Sequence, residues 1–140
     1  MYRAVREFEE PSLPPQVLLD VVYDVAGYPT FVKGVKRVEV LSREADHLLA
    51  EFTAGVAGMS FTYVLRVEQE PGSVRWRRVA GSFKDAEGCM LHLGWGRFRY
   101  ENAMDPGFAV PDFAVRFILE GSLPRLIREF RERARQVTSS

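Results

Sequence analysis

Pro14-Pro15-Gln16-Val17-Leu18-Leu19-Asp20-Val21-Val22-Tyr23-Asp24-Val25-Ala26-Gly27-Tyr28-Pro29-Thr30-Phe31 leads almost directly into Val35-Lys36-Arg37-Val38-Glu39-Val40-Leu41. In the first stretch Val17, Leu18, Val21, Val22 and Val25 recur at helical spacing, so one face of a helix is apolar. Prolines at its start are tolerated because the amides of a first helical turn have no intrahelical partner. Gly27 reads as the C-terminal stop. Tyr28-Pro29 should prevent continuation, because a residue before proline avoids helical geometry. A short second helix or turn fits Thr30 to Val32. From Val35 the period changes to two, with Val38 and Val40 on one face of a strand.

Working outward, Tyr2 to Glu9 reads as a first strand, closed by Pro11-Ser12-Leu13-Pro14-Pro15. Beyond Leu41 the turn Arg43-Glu44-Ala45-Asp46 leads to His47 through Thr53, a hairpin. Gly55 and Gly58 bracket a bend. Met59, Phe61, Tyr63, Leu65 and Val67 then alternate with Ser60, Thr62, Arg66 and Glu68, and after Pro71-Gly72 the residues Val74, Trp76 and Arg78 alternate with Arg75 and Arg77. Phe83 to Leu93 and Arg97 to Met104 meet at Gly94-Trp95-Gly96. An odd loop there puts Met90 and His92 on the same face as Phe98 and Tyr100, and an even loop would put Leu91 and Leu93 there. The odd loop is preferred, because two glycines can supply its positive-φ position. Asp105-Pro106-Gly107 turns the chain and Asp112 can cap a helix. Phe113, Phe117, Ile127, Phe130 and Ala134 trace its apolar stripe to Gln136, with a kink expected at Gly121 and Pro124. Arg128, Arg131, Arg133 and Arg135 crowd the end of that helix, where cations suit its dipole. Thr138-Ser139-Ser140 reads as a disordered tail.

At 140 residues the chain fits one domain, residues 1–140, and folding at this size buries about two-thirds of the unfolded surface without metal or disulfide staples. The one cysteine, Cys89, has no intramolecular partner, and the N-terminus has no apolar run, so a cytoplasmic protein is expected. A formal net charge of zero removes any global field toward nucleic acid or anionic membrane. Ten phenylalanines are more than a minimal core of this size demands and would suit the walls of an apolar cavity. An ordinary Phe-rich core is the alternative.

The order strand, helix with a short helical turn, six strands in meander and a long helix favours one antiparallel sheet. Such a sheet has one face to bury and the last helix offers a matching stripe, so the expected class is α+β, with about seven strands curled around that helix. The chain resembles the START-like superfamily of the polyketide cyclase/dehydrase and lipid-transport group, most closely its coenzyme Q-binding, RatA-type branch. Pro15-Gln16-Val17, Asp24 with Tyr28-Pro29-Thr30-Phe31, Val38-Glu39-Val40-Leu41, Gly81-Ser82-Phe83-Lys84 to Gly88, and Ser122-Leu123-Pro124-Arg125-Leu126 carry the resemblance across nearly the whole chain. It implies a helix-grip fold with a hydrophobic ligand held between sheet and helix, and it makes positions 90 and 92 inward. That branch usually carries aromatics where Met90 and His92 stand here, which implies a more polar pocket.

By parity or helical phase Phe31, Phe61, Tyr63, Trp76, Phe83, Phe98, Tyr100, Phe113 and Phe117 project toward one volume, a site for a flat or long apolar molecule. Access is expected beside the C-terminal helix and the Tyr28 to Val35 loop. With only His47 and His92 as bases, a complete hydrolytic set is missing. His92 is the one weak catalytic candidate, able to bond a ligand carbonyl or move a proton, against the reading of a structural histidine. With Tyr63 or Tyr100 it could serve an aromatase/cyclase. His47 should be exposed, and Cys89 a buried inert thiol. No metal or cofactor is implied. Arg66, Arg75 and Arg77 around Trp76 form either a solvated outer face with Glu68 and Glu70 or a basic surface for RNA, the latter encouraged by the ribosome-associated role of some RatA-type proteins.

Overall fold

The computed structural model describes residues 1–56, 58–107 and 112–139. In chain order they form β1 (Tyr2–Glu9), α1 (Pro15–Tyr23), a 3-10 turn (Val25–Gly27), α2 (Tyr28–Phe31), β2 (Val35–Arg43), β3 (His47–Val56) and β4 (Met59–Glu70). There follow β5 (Ser73–Gly81), β6 (Asp85–Gly94), β7 (Arg97–Asp105), α3 (Asp112–Arg116), a π-helical turn (Phe117–Gly121) and α4 (Leu123–Ser139). The strands make one antiparallel sheet in the order β1-β7-β6-β5-β4-β3-β2, in which β1 closes onto the last strand with Phe8 opposite Phe98. Register shifts in the β2–β3, β4–β5 and β6–β7 pairs mark bulges, which bend strands and increase their twist.

One face of the sheet buries Leu48, Ala50, Phe52, Val67, Val74, Met90, Phe98 and Tyr100 in a common core with Leu18, Leu19 and Val22 of α1 and Leu123, Ile127, Phe130 and Ala134 of α4. The period-two and period-3.6 stripes of the sequence meet here, and apolar burial is the main force holding the layers together.

Three local expectations are corrected. Helix α1 stops at Asp24, not Gly27, and Tyr28 is itself helical at φ −53°, ψ −41°, opening α2 despite the following proline. Pro29 falls in a first turn, where its missing N–H costs nothing. The Tyr28 hydroxyl donates to the Val22 carbonyl while its ring packs on Phe31, Phe52 and Phe130, so tertiary contacts override the local preference. Second, the stripe of the C-terminal segment runs back from Ile127 through Leu123 and Leu119 to Val115, all buried, while Phe113 is 77% exposed. The Phe117 side chain lies outside the described residues. The break occurs as a π turn ending at Gly121, after which Pro124 sits in the first turn of α4. Third, α4 continues through Thr138 and Ser139, whose hydroxyls donate to the Ala134 and Arg135 carbonyls, so these two residues are not a disordered tail. Ser140 lies outside the described residues.

The β6–β7 hairpin has the expected parity by a different route. The turn is Trp95-Gly96, both at positive φ (56° and 73°), which matches the strand twist as a type I′ turn does. A register shift between His92 and Gly94 adds the odd residue, so His92 still faces Phe98 and Met90 still faces Tyr100.

Two arginines at the end of α4 have specific partners. Glu10, 4% exposed, accepts from Arg131 (3.3 Å), from Arg135 and from Ser12 (3.0 Å), tying the β1–α1 connection to α4. Burial alone would raise its pKa, but the Arg131 and Ser12 hydrogen bonds and the charges of Arg131 and Arg135 outweigh this and lower it. A depressed folded value means that the stabilisation is present above the ordinary glutamate range and disappears as pH falls through Glu10's own value. Glu10→Gln should therefore lose about 1.5–3 kcal/mol at pH 7 in urea unfolding, a difference that shrinks in acid. An undiminished difference below the glutamate range would contradict the assignment.

Candidate functional site

Toward the end of the sheet where β4 begins and β5 finishes, the inward face is aromatic and incompletely covered. Phe61, Tyr63, Leu65, Trp76 and Phe83 are only half-buried, in contrast to Val67, Val74 and Met90 further along the same strands. Phe83 holds φ at 73°, an uncommon conformation for a bulky side chain. Its neighbours fix it, since Ser82 N–H donates to the Thr62 carbonyl (2.8 Å) and Lys84 N–H to the Asp105 carbonyl (2.9 Å). The result sets the Phe83 ring against Phe61 (5.1 Å between centroids) and Tyr63 (5.5 Å), while Tyr63 stacks on Phe52 at 5.6 Å with the planes 5° apart.

Beside this group Trp76 lies across β6. Gly88 stands opposite it with no side chain, and the indole passes over that gap to lie 5.5 Å from the Tyr100 ring and to donate from Nε1 to Asn102 Oδ1 at 3.3 Å. Asn102 was absent from the sequence-based set. The signal was available, since Asn102 shares the parity of Phe98 and Tyr100 and is the polar residue on that inward face of β7.

Burial holds the Tyr63 phenol up at about 12 and raises Tyr100 still further, with the Tyr63 charge adding to the latter. Tyr28 is raised well above its ordinary value by burial first, then by Tyr100, Asp24 and Tyr63. All three hydroxyls are therefore neutral donors at physiological pH. The Tyr28 hydroxyl is used on Val22, whereas no described residue accepts from Tyr63 or Tyr100.

The structure thus brings Phe61, Tyr63, Trp76, Phe83 and Tyr100 together and places the other expected residues elsewhere. Phe31 packs between Tyr28 and Phe130 with Arg133 stacked on it at 5.4 Å, at an outer groove between α1 and α4. Phe98 is buried between Phe8 and His92 at the Trp95 end of the sheet. His92 faces inward as expected and its buried Nε2 has no partner among the described residues, yet fully buried Met90 separates it along β6 from the Trp76 and Gly88 position. Phe113 faces outward. The Tyr28 to Val35 segment, beside the expected access, is stitched to α4, with Lys33 N–H donating to Glu129 (2.9 Å) and Arg125 donating to the Lys33 carbonyl (3.4 Å).

Arg66, Arg75 and Arg77 occupy the opposite face of the sheet. Arg66 is held by Glu68 at 2.7 Å, and Arg3, Glu87 and Glu101 border the same shallow groove, while neither Arg75 nor Arg77 has an ion pair among the described residues. Cys89 is buried there with its thiol pKa raised, first by desolvation, as expected of an inert thiol. His47 is half-buried and paired with Asp46 at 2.8 Å, not free in solvent. No described helix is long and apolar enough to cross a membrane.

A curved antiparallel sheet gripping a long C-terminal helix, with aromatic rings and unused phenolic donors between them, defines a helix-grip domain. The chain belongs to the polyketide cyclase / dehydrase and lipid transport family, whose model matches residues 11–131. Two curated relatives, the ribosome association toxin RatA of two Vibrio cholerae O1 strains, are 32% identical over 85 residues, covering 60% of this chain and 56% of theirs. The match thus spans little more than half the length of those relatives. Among solved structures, a protein of Thermus thermophilus superposes with a TM-score of 0.79 at 22% identity, over 99% of this chain and 98% of that one. The Zhui aromatase/cyclase of a Streptomyces species gives 0.73 at 18% identity, over 96% and 95%. A START superfamily protein from Mycobacterium smegmatis gives 0.79 at 16%, over 96% and 98%. These likenesses establish the fold.

Proposed function

We propose that this domain binds and carries a hydrophobic small molecule of quinone, lipid or polyketide-like class between β4–β7 and the C-terminal helices. The observation that carries the reading is the set of inward rings, Phe61, Tyr63, Trp76 and Phe83, which face the helix side yet stay half-buried. A guest completing their burial gains about 25 cal/mol per Å² of apolar surface before ordering costs. Solvent extraction of the purified protein followed by mass spectrometry should yield a co-purifying apolar compound, or the emptied protein should take up quinones or lipids. Repeatedly empty preparations that bind neither would overturn the reading. Phe83→Ala should weaken binding about ten- to a hundredfold, the range expected for losing most of one buried aromatic contact. Equilibrium dialysis measures this.

A second reading is favoured by the RatA likeness together with the exposed Arg75 and Arg77, which have no ion pair among the described residues. This face would contact ribosomal RNA. Sedimentation with ribosomes should then weaken steeply between about 50 and 200 mM salt and be lost in Arg75→Glu/Arg77→Glu. Absence of co-sedimentation at low salt removes it.

A further inference from the structure

We infer that Asn102, oriented by Trp76 across Gly88, is a specificity-determining anchor that selects ligands carrying a neutral hydrogen-bond acceptor, such as an aromatic carbonyl, over plain hydrocarbons of the same shape. This rests on the binding role proposed above and adds to it the polarity of the guest.

An indole N–H can only donate, so the oxygen of the Asn102 amide must be the atom that faces Trp76 Nε1. That fixes the flip of the amide and turns its NH2 group away from the indole. No described residue accepts from it. Asn102 is half-buried on the inward face, opposite Gly88 on β6 and next but one to Tyr100. The indole reaches it only because position 88 is glycine: a Cβ there would lie 2.5 Å from Trp76 Nε1 and 2.5 Å from the Glu101 carbonyl oxygen.

The Tyr63 and Tyr100 hydroxyls on this wall also have no acceptor among the described residues. Amide and hydroxyls together offer donors and no fixed negative charge. The inward cation on β5, Arg78, donates to the Gly81 carbonyl (2.7 Å) and the Ser82 carbonyl (3.4 Å), so it is engaged by the turn that carries Phe83. A guest seated on this wall takes these donors out of water, where a donor without an acceptor is costly, and a carbonyl on the guest removes that cost where a hydrocarbon cannot. Trp76 is the positioning residue and Asn102 the group that touches the guest.

The test uses equilibrium dialysis at pH 8 of the full chain with 2,3-dimethyl-1,4-naphthoquinone and with 2,3-dimethylnaphthalene, the same shape with and without carbonyls. The methyl groups block addition of the Cys89 thiol to the quinone. The wild type should prefer the quinone by about tenfold, the discrimination expected for one hydrogen bond to a buried donor. Asn102→Asp keeps an acceptor for Trp76 but replaces the free amide donors with a carboxylate oxygen. It should abolish the preference, and Asn102→Leu should do the same. Trp76→Phe, which frees the amide to rotate, should reduce the preference and is read if the position 102 variants lose their near-ultraviolet circular dichroism. Equal wild-type binding of both compounds, or an undiminished preference in the variants, overturns the anchor and leaves the binding role standing. Binding of neither compound by the wild type removes the anchor, and the lipid uptake described above then decides the binding role by itself.

Discussion

Phe98→Ala is expected to lower the unfolding free energy by about 3–5 kcal/mol, the range for deleting a fully buried aromatic side chain. Phe98 is 1% exposed, stacks on Phe8 at 5.4 Å with planes 15° apart, and meets the His92 ring at 5.2 Å. Through these contacts it joins β1, β7 and β6, the three strands whose pairing closes the sheet onto the N-terminus. The outer side of the same cluster is held by Arg131, stacked 5.4 Å over Phe8, and by the Glu10 ion pairs, so the cavity left by truncation cannot collapse freely. A loss of this size is a large part of the roughly 5–15 kcal/mol that holds a domain together. Phe113→Ala is the internal control: an exposed ring of identical chemistry should change stability by no more than about 0.5 kcal/mol. Urea unfolding midpoints of the two variants decide the matter, and a Phe98→Ala cost below about 1 kcal/mol would sink the placement of Phe98 in the core.

Much of this architecture was legible because period carries it. Strict alternation from Met59 to Val67 and the helical recurrence from Val17 to Val25 are written in residue type; β4 forms where the pattern puts it, and α1 forms over all of its pattern but Val25, which lies in the following 3-10 turn. Parity also carried Met90, His92, Phe98 and Tyr100 to the inner face, even though the turn proved to be two residues plus a bulge. What failed were readings in which one local preference stood for a three-dimensional outcome. Tyr28 before proline becomes helical because its hydroxyl and ring are held by Val22, Phe52 and Phe130, partners no local rule can see. Helical phase in the sequence predicts Phe113 and Phe117 in the stripe, whereas the phase from Ile127 back to Val115 through the π turn leaves Phe113 exposed. Parity put Phe61, Tyr63, Trp76 and Tyr100 on the inward face, but it gives only which face a side chain shares, not how far along the strand the less covered end lies. His92 and Phe98 share that face at the Trp95 end. The Asn102 bridge and the positive φ of Phe83 depend on contacts across three strands or through a turn, and both lay beyond pattern reading.

Gly88→Ala is expected to damage the binding wall directly, because its Cβ would meet two neighbours at 2.5 Å, the Trp76 indole and the Glu101 carbonyl oxygen. The Trp76 indole can swing aside, at the loss of its bond to Asn102. The Glu101 carbonyl oxygen belongs to the backbone of β7 and can move only if the β6–β7 pairing shifts, since Gly88 sits opposite Asn102 in that ladder. Such overpacking costs about 1–3 kcal/mol, and the displaced indole should reduce affinity for an aromatic guest by at least about tenfold. Gly94→Ala separates the two consequences. Gly94 holds φ at 99° and a Cβ there meets nothing within 4 Å, so its substitution strains the hairpin by about 1–2 kcal/mol while leaving the Trp76 bridge intact. Equal affinity loss in both variants would show that stability alone governs binding. A loss confined to Gly88→Ala, together with altered near-ultraviolet circular dichroism from Trp76, ties the empty position on β6 to recognition of the guest.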